Sequence, residues 1–140
     1  MVEYKKIIVP ADGSENGKRA LEHALAIVKR NDAELILVHV ANIVSAISNF
    51  DQTPISGGYV SEQIAEDMEE TGKKILSEVA EDVPADMKVK CVFEVGSPGP
   101  AVLAVAKKYD ADLIVMGSRG LGSVSSYVTS HSTCPVLIVK

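Results

Sequence analysis

Short, wholly apolar runs alternate along this chain with longer stretches whose apolar residues recur at helical spacing. Ile7, Ile8 and Val9 make the first run. Across residues 15–30, Ala20, Leu21, Ala24, Leu25 and Val28 fall on one side of a helix. Leu35, Ile36, Leu37 and Val38 form a second run. Ile64, Met68, Ile75, Leu76 and Val79 mark a second helix over residues 61–81. Val89, Cys91, Phe93 and Val95 then alternate, as in a strand with one wetter face. A short helix over residues 101–109 follows Pro100, and an apolar strand covers 113–116. A last helix begins near Ser123, and a last strand covers 136–139.

The order β-α-β-α-β-α-β-α-β predicts an α/β fold on a parallel sheet, with helices on both faces. Strands that are apolar throughout belong at the centre, where both faces are covered. The alternating strand suits an edge, and so does the final one, Val136, Leu137, Ile138 and Val139. An apolar edge with open N–H and C=O groups invites pairing with the same strand of a second copy, giving a homodimer. Whether Leu137 or Ile138 turns its N–H outward is left open by the pattern. Residues 41–59 lack periodicity, contain Pro54, Gly57 and Gly58, and read as a loop on the ligand side. No repeat or linker divides residues 1–140, so one domain is expected.

Composition narrows the functions. A chain of 140 residues with 46% hydrophobic content can bury a real core. A net charge of −5, with scattered Lys and Arg, argues against general binding to nucleic acid. No apolar run approaches bilayer-spanning length, and no membrane role is expected. The first residues enter a strand at once and form no leader-like core. The expectation is a cytoplasmic protein with Cys91 and Cys134 reduced and buried.

The chemistry concentrates in two loops. Met116-Gly117-Ser118-Arg119-Gly120-Leu121-Gly122-Ser123-Val124-Ser125 links a strand to a helix. Glycines let backbone approach a ligand, and a helix N-terminus offers free N–H groups to phosphate. Pro10-Ala11-Asp12-Gly13-Ser14 is its natural partner across the cleft of an open parallel sheet. Asp12 suits a ribose hydroxyl, or a metal held with phosphates. It also suits a turn or cap before the first helix, and the second loop tips the reading to a ligand. Ser14 is the better cap. Arg119 can neutralise phosphate. Ser123 and Ser125 can donate to it, or serve as a cap and a solvent-facing serine. His23, His39 and the His131-x-x-Cys134 pair lack the partners of a zinc site. No catalytic triad or nucleophile elbow is present. Gly13-Ser14-Glu15-Asn16-Gly17-Lys18-Arg19 falls short of a Walker A loop in length and ends in Arg.

Taken in order, five pieces resemble the universal stress protein family over the whole chain. They are Lys6-Ile7-Ile8-Val9-Pro10-Ala11-Asp12-Gly13-Ser14, Val38-His39-Val40, Val95-Gly96-Ser97-Pro98, the segment from Asp112 to Gly120, and the segment from Ser123 through Cys134-Pro135 to Val139. The resemblance implies a five-stranded sheet of order 3-2-1-4-5, the adenine nucleotide alpha hydrolase-like architecture, and dimerisation through the last strand. It implies ATP binding with Mg²⁺ or Mn²⁺ at Asp12. Pro10, Ala11 and Val40 would frame adenine; Met116, Gly117, Arg119 and Gly120 would approach sugar and phosphates. Gly122, Ser123, Val124 and Ser125 would hold the phosphates.

One departure is sharp. Only Leu121 separates Gly120 from Gly122, where the family's ATP-binding pattern, Gly-x2-Gly-x9-Gly-Ser/Thr, has nine residues. Either the chain lacks the phosphate lobe or residues are missing there; the matching flanks favour the second. The expected function is a homodimeric ATP-binding stress-response regulator with at most slow ATP hydrolysis, acting on an unidentified downstream partner. The alternative is a dimeric member that binds no nucleotide and works through protein partners.

Overall fold

A computed structural model describes residues 2–42, 57–118 and 122–140, the side chains of 57–61 and 122–123 excepted. The order is β1 (Lys6–Pro10), α1 (Glu15–Asn31), β2 (Glu34–Ala41), α2 (Gly57–Ala80), β3 (Lys88–Val95), α3 (Pro98–Lys108), β4 (Leu113–Gly117), α4 (Gly122–His131) and β5 (Val136–Val139). The five strands form one parallel sheet ordered β3-β2-β1-β4-β5. The expected α/β class, strand order and two edge strands are all observed.

Strand alternation sorts the core into two layers. Ile7, Val9, Leu35, Leu37, Leu113 and Val115 face α1 and α2, meeting Ala20, Leu21, Ala24, Leu76 and Val79. Ile8, Ile36, Val38, Ile114 and Met116 face α3 and α4, meeting Val102, Val105 and Val128. The helices change faces because the chain builds outward from β1 to β3, then crosses back to β4 beside β1. With right-handed crossovers, that reversal puts the later helices on the opposite face. The reversal lies between β1 and β4, and their C-terminal ends open a crevice there.

Several boundaries differ from expectation. α2 starts at Gly57, inside the expected 41–59 loop, and β2 runs on to Ala41; residues 43–56 of that loop lie outside the described residues. α3 starts at Pro98, before the expected 101, because a first turn tolerates proline at positions whose N–H has no helical partner. α4 starts at Gly122, so Ser123 lies within its first turn rather than before it.

The cysteines are free, as expected, but Cys91 is exposed and Cys134 only half-buried. The cause is the edge position of β3. Val89 and Val95 are also exposed, while Phe93 packs on the α2 side and Val92 is buried on the other face. α2 covers only part of the strand, leaving an open hollow of about 450 Å³ lined by Lys73, Leu76, Ser77, Ala80, Cys91 and Phe93.

Candidate functional site

The loop after β1 is built by three local devices. Ser14 caps α1, its Oγ accepting from the Gly17 N–H at 3.0 Å. Asp12 Oδ1 accepts from the Ser14 N–H at 2.9 Å and from the Ser14 hydroxyl at 2.7 Å. Gly13, at φ +80°, supplies the left-handed step between them. Asp12 therefore shapes the turn, as the structural alternative anticipated. Its Oδ1 is committed, and it stands exposed at the head of the turn.

The same loop is fastened to β2. The Ala11 N–H donates to the Val38 carbonyl at 2.7 Å, extending the β1–β2 ladder. His39 Nδ1 lies 2.8 Å from the Ala11 carbonyl. A carbonyl only accepts, so Nδ1 carries the proton that it donates to Ala11. Phe93 stacks against His39, with ring centroids 6.2 Å apart, and steadies the imidazole. His39, which lacks the partners of a zinc site, has a different role, latching the loop that carries Asp12.

Pro10, Ala11, Asp12, Val38, His39, Val40, Pro98, Val102 and Val124 line a cavity of about 70 Å³ at this end of the sheet. Of the residues expected at a nucleotide, the structure brings together Pro10, Ala11, Asp12, Val40 and Val124. His39, Pro98 and Val102 join them without having been expected. The first two lay in segments already singled out, Val38-His39-Val40 and Val95-Gly96-Ser97-Pro98. The walls are mostly apolar, and Asp12 is the one carboxylate among them, sharing the lining with the His39 imidazole.

Met116 is fully buried beneath the sheet end, so any role at a ligand falls to its backbone. Gly117 is buried too, and its lack of a side chain is filled from within: a Cβ there would overlap the Asn16 amide. Asn16 is the buried polar residue of α1, and its Nδ2 donates to the Val139 carbonyl at 3.2 Å. Gly117 thus makes room for a clamp between α1, β4 and β5. Ser125 is half-buried in α4, where its carbonyl accepts from the Thr129 hydroxyl at 2.6 Å. Gly122 and Ser123 lie in the first turn of α4; Arg119 and Gly120 lie outside the described residues. Among the described residues no group of three His, Cys, Asp or Glu is placed to hold a metal ion.

Among the described residues two larger hollows lie elsewhere. One is the hollow at β3. The other, about 440 Å³, is lined by Glu94, Gly96, Ser97, Pro100, Ala104 and Lys108 among others. Both are open surface features away from the turn at Asp12. The smaller cavity carries the better chemistry, since it sits where strand order reverses and joins an apolar slot to a single carboxylate.

A profile of the universal stress protein family matches residues 3–140. The chain belongs to that family. It is 37% identical over 147 aligned positions to Universal stress protein MJ0531 of Methanocaldococcus jannaschii, across 98% of this chain and 82% of that one. Its fold is similar to the solved structure of hypothetical protein MJ0577, with a TM-score of 0.74, 31% identity, and coverage of 99% and 97% of the two chains. It is also similar to a universal stress protein solved in complex with cAMP, with a TM-score of 0.66, 25% identity, and coverage of 99% and 98%. The sheet order and the helices on both faces are those of the adenine nucleotide alpha hydrolase-like fold.

Proposed function

We propose that this universal stress protein is a single-domain, cytoplasmic regulator that binds an adenine nucleotide and works as a homodimer. The observation that carries this reading is the cavity at the strand-order reversal, with apolar walls and Asp12 at its head. The apolar faces of Pro10, Ala11, Val40 and Val124 suit a purine ring. The second oxygen of Asp12, Oδ2, suits a ribose hydroxyl. The relative solved with cAMP supports an adenine ligand in this fold.

ATP, the ligand implied by the family resemblance, shares that adenosine part. A Mg²⁺ or Mn²⁺ ion would have to arrive on the phosphates, because one carboxylate falls far short of the six or so oxygens such an ion takes. Among the described residues that line the cavity no nucleophile is paired with a base, and the reading is a sensor rather than a fast enzyme. No helix among the described residues is long and apolar enough to cross a membrane.

The homodimer reading rests on β5. Leu137 is 38% exposed, and β5 pairs only with β4 among the described residues. The Pro135 and Val139 carbonyls accept from the N–H groups of Ile114 and Ser118 on β4. Successive residues of a strand turn their polar groups to opposite edges, so Leu137 also faces β4, while Val136 and Ile138 face outward. Outward N–H and C=O groups flanked by apolar side chains suit antiparallel pairing with a second copy.

A 70 Å³ cavity is small beside the roughly 300–1,000 Å³ of ordinary ligand pockets, and this favours a second reading, a dimer that binds no nucleotide and acts through protein partners. Calorimetric titration with adenosine, AMP and ATP separates the two. Heat saturating at one site per chain supports the nucleotide reading, and no heat at millimolar ligand refutes it.

A further inference from the structure

We propose that the free edge of β3 binds an extended segment of a partner protein as an added strand, with apolar side chains on the α2 face and acidic ones on the α3 face. β3 runs for 8 residues, Lys88–Val95, and pairs only with β2 among the described residues. The Gly96 N–H donates to the Ala41 carbonyl of β2 at 3.0 Å. Successive residues turn their polar groups to opposite edges, so Lys90, Val92 and Glu94 also turn theirs to β2. Val89, Cys91, Phe93 and Val95 therefore turn theirs outward. Of these, Val89, Cys91 and Val95 are exposed. Such an edge is a template for another strand. β2 separates it from the turn at Asp12, so the proposal stands whatever binds there.

Both faces beside this edge are hollow. On the α2 face the space of about 450 Å³ is walled by Leu76, Ala80, Cys91 and Phe93. Lys73 lines it too, but is paired with Glu69 at 2.7 Å. On the α3 face the space of about 440 Å³ is lined by Glu94, Pro100, Ala104 and Lys108 among others. An added strand sends alternate side chains to the two faces, and pockets for alternate side chains are how strand addition gains specificity. Charge selects the occupant. Lys88 and Lys90 share the α3 face of the strand with Glu94, by alternation. The Lys90 and Lys108 ammonium groups gather over the Tyr109 ring, 4.9 and 5.5 Å from its centre. Lys88, Lys90 and Lys108 are exposed and in no ion pair among the described residues. Set against Glu94 they make a basic strip on a chain of net charge −5, and an acidic segment complements it. A second copy would bring its own excess of lysines to the same strip.

The probes are fluorescein-labelled peptides as long as β3, one alternating Val and Glu and one alternating Val and Lys, titrated against the full chain by fluorescence polarisation. The Val/Glu peptide should bind about tenfold more tightly, the scale of a few exposed charge pairs. Lys88→Glu with Lys90→Glu should reverse that preference. N-methylation of alternate peptide amides tests strand pairing without altering the protein. Methyl groups on the amides that face β3 should abolish binding, and those on the other set should not. The facing set is the valine amides in an antiparallel pair and the glutamate amides in a parallel one. No saturation with the Val/Glu peptide at millimolar concentration, equal binding of the two peptides, or equal effects of the two methylated sets would each overturn the proposal. So would self-association of the wild-type chain that is lost in a folded Cys91→Pro variant, which lacks an outward N–H, because the edge would then hold a second copy.

Discussion

Gly117 admits two roles, as a place where a ligand approaches backbone or as room for the Asn16 clamp, and one substitution decides between them. In Gly117→Ala the new methyl group would overlap the Asn16 amide and come 3.2 Å from the Asn16 carbonyl oxygen. The carbonyl is backbone inside α1 and cannot swing aside. The amide can move only by giving up its 3.2 Å bond to the Val139 carbonyl, within a residue 7% exposed. Overpacking of a tight interior costs about 1–3 kcal/mol. Leaving a buried amide unpaired costs about 1–3 kcal/mol more. Gly117 has no positive φ, so alanine meets no backbone strain and gains about 0.4–1 kcal/mol from a stiffer unfolded chain. The net expectation is a loss of about 1–5 kcal/mol, measured by urea unfolding at constant slope. Asn16→Ala alone should cost about 1–2 kcal/mol, and the double variant should be less destabilised than the two losses added, because the smaller residue removes the overlap. A Gly117→Ala loss below about 0.5 kcal/mol, or strict additivity in the cycle, would refute the clamp and return Gly117 to the ligand.

Asp12→Ala should lower adenine-nucleotide affinity by about 1–3 kcal/mol, read by calorimetry, while Asp12→Asn, which keeps an oxygen for Ser14, should hold thermal stability and still lose affinity. Equal affinity in all three proteins would confine Asp12 to its turn. Ile138→Pro removes an outward N–H of β5 and should leave a folded monomer by sedimentation; a wild-type-like dimer in that variant would rule out the β5 interface. Leu137→Pro removes an N–H facing β4 and should reduce stability whatever the oligomeric state. Although Cys91 is exposed, partial desolvation of its thiol pushes it above its ordinary value, so alkylation by iodoacetamide should stay slow near pH 8 and rise later than in a free thiol. Between the unfolded and folded values the unfolded chain has released its thiol proton and the folded chain has not. Stability should therefore fall as pH rises through that window, and Cys91→Ser should flatten the fall.

The nine elements of the described residues were legible because each is encoded by neighbours in sequence. Ile7-Ile8-Val9 is apolar on both sides because both faces of β1 are covered, and the Ala20, Leu21, Ala24 and Val28 stripe has the period of a helix lying on one face. Five of the residues expected at a nucleotide do share one cavity, because the loops after β1 and β4 must meet where strand order reverses. The rest depended on contacts between distant segments, which no local pattern records. Asn16 reads in sequence as an ordinary polar residue of the first turn of α1, and only the packing of α1 across β4 and β5 puts its amide into the space left by Gly117. His39 reads as a lone histidine at a strand end, and only the β1–β2 register brings its ring to the Ala11 carbonyl. Cys91 is expected to be buried because it sits in an apolar segment, yet such a segment names a strand and not how far a helix covers it. The outward edge of β5 was undecided until the register with β4 fixed which N–H groups were already used. Secondary structure follows from the spacing of residues along one element; the clamp, the latch and the open edge follow from register and packing between elements, which exist only once the sheet has assembled.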